Sequence, residues 1–109
     1  MINLYVDDER TPPNDNIYNW VVVRNYLDAI KILEEEEGNI ERLSLDHDLG
    51  NIGATGYDIS VWIEEQVSKR QYKAPKRLYC HSQNPVGKSK IKACYQSIKR
   101  IERERETNL

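Results

Sequence analysis

Cysteine is scarce in this chain, and neither of its two cysteines stands where a disulfide or a metal ligand is expected. Cys80 lies in a short apolar, strand-like run and Cys94 in a helical pattern. Neither placement is typical of a disulfide framework or a metal-binding knuckle. We therefore expect both to be reduced residues of the interior.

Long apolar runs and a large excess of charge are also missing. No stretch is apolar enough for a membrane span, and the N-terminus lacks the basic segment and apolar stretch of a signal peptide, so we expect a cytoplasmic protein. The formal net charge is only −2, from 16 basic and 18 acidic residues, which predicts no extended nucleic-acid or membrane surface. An anionic ligand would have to be bound locally.

The length of 109 residues is enough for one hydrophobic core and too short for two. We expect a single domain over residues 1–109, with a frayed tail after about residue 103, where charges alternate in sign. The sequence leaves the oligomeric state open, because Tyr18, Trp20 and the last helix could serve either a core or an interface.

Apolar runs alternate with helical patterns along the chain. The runs that predict strands cover residues 2–6, 20–23, 43–45 and 77–80. Prolines and turn-forming residues predict a loop over residues 9–19. Helices are predicted after the N-caps Asn25 and Thr55, and a last helix near Lys88. Strands alternating with helices favour an α/β domain with a parallel sheet and right-handed crossovers.

Three of the predicted strands end in polar clusters. These clusters are Asp7 with Asp8, Asp46 with His47 and Asp48, and His81 with Ser82. Open parallel sheets bind ligands outside the carboxyl ends of their strands. We therefore expect the three clusters to converge on one site.

The aspartates of these clusters predict a metal site formed by Asp7, Asp8, Asp46 and Asp48. Carboxylates crowded in a cleft repel one another, and a divalent cation relieves that repulsion. Oxygen ligands favour Mg²⁺ or Mn²⁺, and His47 or His81 as a ligand would shift the preference toward Mn²⁺ or another transition metal. For one aspartate alone, capping of a turn would be the better explanation.

The two histidines of the chain, His47 and His81, both belong to these clusters. Imidazole titrates near neutral pH, so one ring could accept a proton while the other protonates a departing oxygen. We therefore predict both as catalytic residues. The alternative, for either one taken alone, is a core histidine whose ring nitrogens are both satisfied by the backbone.

The segment from Ser82 to the start of the last helix suits a phosphate. Free amides at a helix start, the positive end of the helix dipole and nearby lysines all favour an anion, and an arginine of the first loop could reach the same pocket. The predicted phosphate-binding residues are Arg10, Ser82, Asn84, Gly87 and Lys88. The alternative is an ordinary turn with an N-terminal cap.

Four segments carry a resemblance to a known family. They are residues 5–12 (YVDDERTP), 44–50 (SLDHDLG), 55–58 (TGYD) and 81–87 (HSQNPVG). Together they resemble the cyclic-phosphate processing receiver-like domains, relatives of response-regulator receivers. The resemblance implies a small three-layer, flavodoxin-like α/β fold with about four parallel strands in the order 2-1-3-4 and three helices. In this fold a loop replaces the first receiver helix.

The resemblance also implies roles for individual residues. In receivers, paired acids after the first strand and an aspartate after the third hold Mg²⁺, and the latter accepts a phosphoryl group. Asp7, Asp8 and Asp46 look like these residues, which adds Asp46 to the predicted catalytic set. No later strand supplies the lysine that contacts phosphate in receivers. This departure and the two histidines disfavour phosphorelay and fit the processing of cyclic phosphates.

The leading hypothesis is therefore a metal-dependent phosphoesterase that opens or hydrolyses a cyclic phosphate on a nucleotide, an RNA end or a related metabolite. The expected partner is a phosphorylated small molecule or nucleotide. One alternative is a protein that sequesters a cyclic nucleotide without cleaving it. Another is a degenerate receiver that acts as a non-catalytic interaction module.

Overall fold

The computed structural model describes residues 1–13, 17–49 and 54–107 of the chain. The elements within these residues are β1 (Ile2–Val6), β2 (Val21–Val23), α1 (Tyr26–Glu35), β3 (Ile40–Leu45), α2 (Gly56–Arg70), β4 (Arg77–Cys80) and α3 (Pro85–Thr107). All strands run parallel in one sheet with the order β2-β1-β3-β4. This confirms the predicted α/β fold, its strand order and its helices.

One face of the sheet forms the hydrophobic core with the helices. Alternate strand residues point to the same face, and the buried leucines Leu4, Leu43 and Leu45 belong to one apolar cluster. The helices contribute Leu33 of α1, Ile63 of α2 and Ile98 of α3 to that cluster, and each of these side chains is fully or almost fully buried. All three helices therefore pack into the same core.

The other face of the sheet is aromatic and polar. Tyr5, Ser44 and Tyr79 are in register across β1, β3 and β4 and form a row that we call the aromatic row. Tyr18 and Trp20, from the segment before β2, lie beside this row. Tyr18 belongs to the predicted loop, whereas Trp20 was predicted to begin the strand that starts at Val21. The described loop residues 9–13 and 17–19 form no helix or strand, and residues 14–16 lie outside the described part.

Local capping explains where α1 and α2 begin. The Asn25 side chain accepts the Asp28 N–H at 2.9 Å. Thr55 and Asp58 form a reciprocal capping box at the start of α2. Both N-caps are those predicted from the sequence. The predicted polar loop before α2 includes residues 50–53, which lie outside the described part of the chain.

Helix α3 begins earlier than predicted. It begins at Pro85 rather than near Lys88, because the Asn84 side chain caps it and proline favours the first helical position. It continues to Thr107. Fraying of the tail after about residue 103 stays a prediction. The Arg105 guanidinium donates to the Val67 carbonyl at 3.5 Å and joins the last turns to α2.

The two cysteines are free thiols, Cys94 buried and Cys80 half-buried. Within the described ranges, no helix combines the length and the apolar character that a membrane crossing needs.

Candidate metal and phosphate site

The register of the sheet aligns three of the predicted site residues. Val6 and Leu45 are paired, and the ladder continues one residue further, because Asp46 N–H donates to the Val6 carbonyl and His81 N–H to the Leu45 carbonyl, both at 3.0 Å. Asp7, Asp46 and His81 therefore form a second row across the carboxyl ends of β1, β3 and β4. Their carboxylate oxygens and a ring nitrogen lie within 4.8 Å of one another.

Asp7 is the most enclosed residue of this row, with 0 % of its surface exposed. Its Oδ1 accepts the N–H groups of Glu9 at 2.9 Å and Arg10 at 2.8 Å, and its Oδ2 lies 2.9 Å from His81 Nε2. Burial by itself raises the pKa of Asp7, but these hydrogen bonds outweigh burial and hold the pKa below its usual value. Asp7 is therefore a carboxylate at neutral pH, as a metal ligand must be.

His81 is held on both edges of its ring. Its Nε2 faces Asp7, and its Nδ1 lies 2.8 Å from Ser44 Oγ. The ring stacks on Tyr5 with centroids 4.2 Å apart and planes inclined by 10°. Both nitrogens thus have partners, as in the alternative expected for a core histidine, but the partners are side chains rather than backbone groups.

The row opens into an acidic cleft of about 380 Å³. The described residues that line it are Asp7, Asp8, Glu9, Arg10, Asp46, Asp48, Ser82, Gln83 and Asn84. The structure therefore brings together the four aspartates predicted to bind metal and three of the residues predicted to bind phosphate. Asp8 and Asp48 line the cleft, but neither belongs to the close ligand group.

Gly87 and Lys88 do not line this cleft. The Gly87 N–H donates to Asn84 Oδ1 at 3.1 Å, and the Lys88 N–H donates to the Asn84 carbonyl at 2.9 Å. The Lys88 side chain lies beside a different cavity with Cys80 and Ile91. The Gly87 and Lys88 amides are therefore already hydrogen-bonded, and a phosphate contact of these two residues stays a prediction.

His47 is placed by two glycines. A Cβ at Gly87 would lie 2.3 Å from the His47 ring, so the absent side chain makes room for the imidazole. A Cβ at Gly56 would lie 2.0 Å from the Asp46 carbonyl oxygen, and the Gly56 N–H donates to the His47 carbonyl at 2.8 Å. The His47 ring does not line the cleft, but its Nδ1 lies 3.1 Å from Asp48 Oδ1, which does.

Two residues that support the site were missed in the sequence. Ser44 fixes the His81 ring, and its signal was a small polar residue in an apolar strand, two positions before Asp46 and hence on the same face. The Arg24 guanidinium donates to the Asp7 carbonyl at 3.1 Å and the Arg10 carbonyl at 2.6 Å. Arg24 thereby stabilises the turn after β1. The position of Arg24 in the sequence, directly after β2, gave no indication of this role.

Comparison with known proteins identifies the family of the chain. Neither the search of curated proteins nor the search of solved structures found a match. The family model of the cyclic-phosphate processing receiver domain matches residues 2–97, a range that includes every described residue lining the cleft. The chain therefore belongs to the cyclic-phosphate processing receiver domain family.

Proposed function

We propose that this protein is a metal-dependent phosphoesterase that opens a cyclic phosphate by hydrolysis. The observation that carries the proposal is the ligand group of Asp7, Asp46 and His81, of which Asp7 and Asp46 line the acidic cleft and His81 contacts Asp7. Two buried carboxylates and an imidazole, with ligand atoms within 4.8 Å of one another, offer three ligands to a cation. The further carboxylates of the cleft add negative charge that attracts it.

The donor set fits a divalent cation. Asp7 and Asp46 offer oxygen ligands, and His81 Nε2 offers nitrogen if Nδ1–H donates to Ser44. Mixed oxygen and nitrogen ligands favour Mn²⁺ over Mg²⁺. Asp8 and Asp48 would contact the ion through water. The cation, when bound, supplies Lewis acidity that polarises a phosphate oxygen and offsets charge in the transition state.

Polar groups on the rim would orient the phosphate. The Ser82 hydroxyl accepts the Asn84 N–H at 3.1 Å, so its own proton is available to a phosphate oxygen. Asn84 uses its Oδ1 to cap α3 and retains its amide N–H groups. Arg10 lines the same cleft and adds a cation. These residues replace the helix amides in the proposed phosphate contact.

His47 and Asp48 would move protons as a pair. Asp48 lines the cleft, and His47 Nδ1 lies 3.1 Å from its carboxylate. Water attacks phosphorus, a new P–O bond forms, and the ring P–O bond breaks. The proton released by water passes to the Asp48 and His47 pair, which returns it to the departing oxygen. The product is a phosphate monoester with a free hydroxyl.

The test is a hydrolysis assay with cyclic nucleotides, cyclic-phosphate RNA ends and a base-free cyclic phosphate, with Mn²⁺, with Mg²⁺ and with a chelator. We expect metal-dependent opening of at least one of them, and loss of about 10²–10⁴-fold in rate in His47→Ala. Lys92→Ala, a change on α3 outside the cleft, should retain the wild-type rate. Absence of product from every substrate would refute the proposal.

The receiver relationship favours a second candidate, a phosphoacceptor site at Asp46. Asp46 lies beside Asp7 at the end of β3, as expected of an acceptor in an acid cluster. Among the described residues that line the cleft there is no lysine, which disfavours this candidate. Stable labelling of Asp46 by acetyl phosphate, without turnover of cyclic phosphates, would favour it.

Tight stoichiometric binding of a cyclic nucleotide that is recovered intact would instead indicate sequestration.

A further inference from the structure

A second cavity lies on the aromatic face of the sheet, next to the acidic cleft. It has a volume of about 340 Å³. Its lining includes Tyr5, Tyr18, Trp20 and Tyr79, with Ser44 and His81 as polar neighbours. The proposed hydrolysis uses none of the four aromatic rings, so their presence there needs another explanation.

The register of the sheet explains why this cavity exists. In the aromatic row, the small Ser44 stands between two tyrosines on neighbouring strands and leaves room above the sheet. Tyr5 makes an edge contact with Trp20, and Trp20 makes one with Tyr18, each with centroids 5.6 Å apart. Three of the four rings, those of Tyr5, Trp20 and Tyr18, therefore contact one another in sequence along the wall of the cavity.

Two of these aromatic residues are partly exposed. Tyr79 is 44 % exposed and Tyr18 38 % exposed. Tyr18 is nevertheless held in place, because Asn3 donates to its carbonyl at 2.5 Å and the Arg42 guanidinium lies 4.1 Å from its ring centre. Exposed aromatic surface on an ordered support is available for stacking with a planar ligand.

His81 connects the cavity to the acidic cleft, because it lines the cavity and contacts Asp7, which lines the cleft. One edge of the imidazole contacts Asp7, which lines the cleft, and the other contacts Ser44, which lines the cavity. In each strand the aromatic row precedes the ligand row by two residues, a separation of roughly 6.6 Å along the strand. A ribose joins a base to a phosphate over a comparable distance.

We propose that the aromatic cavity binds the nucleobase of a nucleoside phosphate whose phosphate occupies the acidic cleft. This proposal rests on the proposed function and names a nucleotide, rather than a base-free phosphate ester, as the substrate. Every base has a flat face that stacks on tyrosine or tryptophan. The serine and tyrosine hydroxyls can meet its polar edge.

The first test uses nucleosides, which carry a base and no phosphate, in the absence of metal. In Trp62→Phe protein, Trp20 is the remaining tryptophan and reports on the cavity by fluorescence. We expect saturable quenching by adenosine or another nucleoside, and affinity lowered about 5- to 100-fold by Tyr79→Ala, the effect of losing one stacking partner. Tyr95→Ala, which removes a tyrosine of α3 outside the cavity, should leave the affinity unchanged.

The second test compares a nucleoside 2′,3′-cyclic phosphate with glycerol 1,2-cyclic phosphate, which has no base, in the presence of Mn²⁺. Equal affinities, or no nucleoside binding, would overturn the base site and leave the phosphate site standing. Nucleoside binding without hydrolysis of any cyclic phosphate would support the base site and count against the proposed reaction. A dimer that Tyr79→Ala dissociates, with no nucleoside effect, would assign this face to a second copy of the chain.

Discussion

Ser44 and Asp7 contact opposite edges of the His81 ring. Ser44 Oγ lies 2.8 Å from Nδ1, and Asp7 Oδ2 lies 2.9 Å from Nε2. A partner at one ring nitrogen selects the tautomer and so decides what the other nitrogen offers. Ser44 is therefore a positioning residue for the proposed metal site.

Ser44→Ala should weaken Mn²⁺ binding by about 10- to 100-fold, because the imidazole loses the partner that orients it. Calorimetric titration of Mn²⁺ measures this change. Ser60→Ala is the matched control, since Ser60 is a buried serine of α2 whose hydroxyl donates to the Tyr57 carbonyl at 2.6 Å. An unchanged Mn²⁺ affinity in Ser44→Ala would show that this serine does not act through the metal site.

Asp7 should make the metal-free fold sensitive to acid. Its pKa in the folded protein lies below the usual value, and the unfolded value is about 3.9. Its contribution to the free energy of unfolding is therefore complete above the unfolded pKa and is lost as pH falls through the folded pKa. In Asp7→Asn this loss should be absent, as measured by urea unfolding across the acid range.

The control for this experiment is Glu104→Gln, an exposed change on α3. It should reproduce the acid sensitivity of the wild-type protein. Equal loss of stability in acid for wild type and Asp7→Asn would contradict the role given to the hydrogen bonds of Asp7.

At the scale of elements, the start of α3 joins the stability of the helix to the site. Asn84 caps the helix through Oδ1 and also lines the acidic cleft. Pro85 follows at the first helical position and has no N–H to satisfy. Asn84 thus caps the helix and also lines the cleft proposed to bind phosphate.

Asn84→Ala should lower the free energy of unfolding by about 0.5–2 kcal/mol, because the cap is lost. Asn84→Asp keeps a capping oxygen and should retain most of the stability, but its added negative charge should weaken binding of a nucleoside cyclic phosphate. Urea unfolding and calorimetry separate the two effects. Wild-type stability in Asn84→Ala would contradict the cap.

At the scale of the whole molecule, a cation that binds the carboxylates of the folded protein and not the unfolded chain stabilises the fold. Mn²⁺ at 100 times its dissociation constant should therefore raise the free energy of unfolding by about 2.7 kcal/mol, seen as a higher melting temperature that a chelator reverses. Asp46→Asn should lose most of this response, whereas Glu104→Gln should keep it. A melting temperature of the wild-type protein that Mn²⁺ leaves unchanged would rule out the metal site.

The two faces of the sheet also have different roles in the whole molecule. The face with Leu4, Leu43 and Leu45 is covered by helices and supplies the core. The face with Tyr5, Ser44 and Tyr79 carries aromatic and polar groups beside the cleft. Because neighbouring residues in a strand point to opposite faces, the same three strands provide both.

Local sequence determined the strands, most helix starts and the place of the polar clusters. The N-caps Asn25 and Thr55 act through amides a few residues away, so their effect can be predicted without the fold. The meeting of Asp7 with Asp46 was also predictable, because the carboxyl ends of parallel strands lie at one edge.

Only the tertiary structure decided which of these residues touch. The strand register put His81 beside Asp7 and Ser44, and the packing of α3 put Gly87 against the His47 ring. The Asn84 side chain accepts the Gly87 N–H, one of the helix amides that we predicted to contact phosphate from the sequence. Such contacts depend on distances between segments that are far apart in the chain. The spacing of residues within one segment gives no information about those distances.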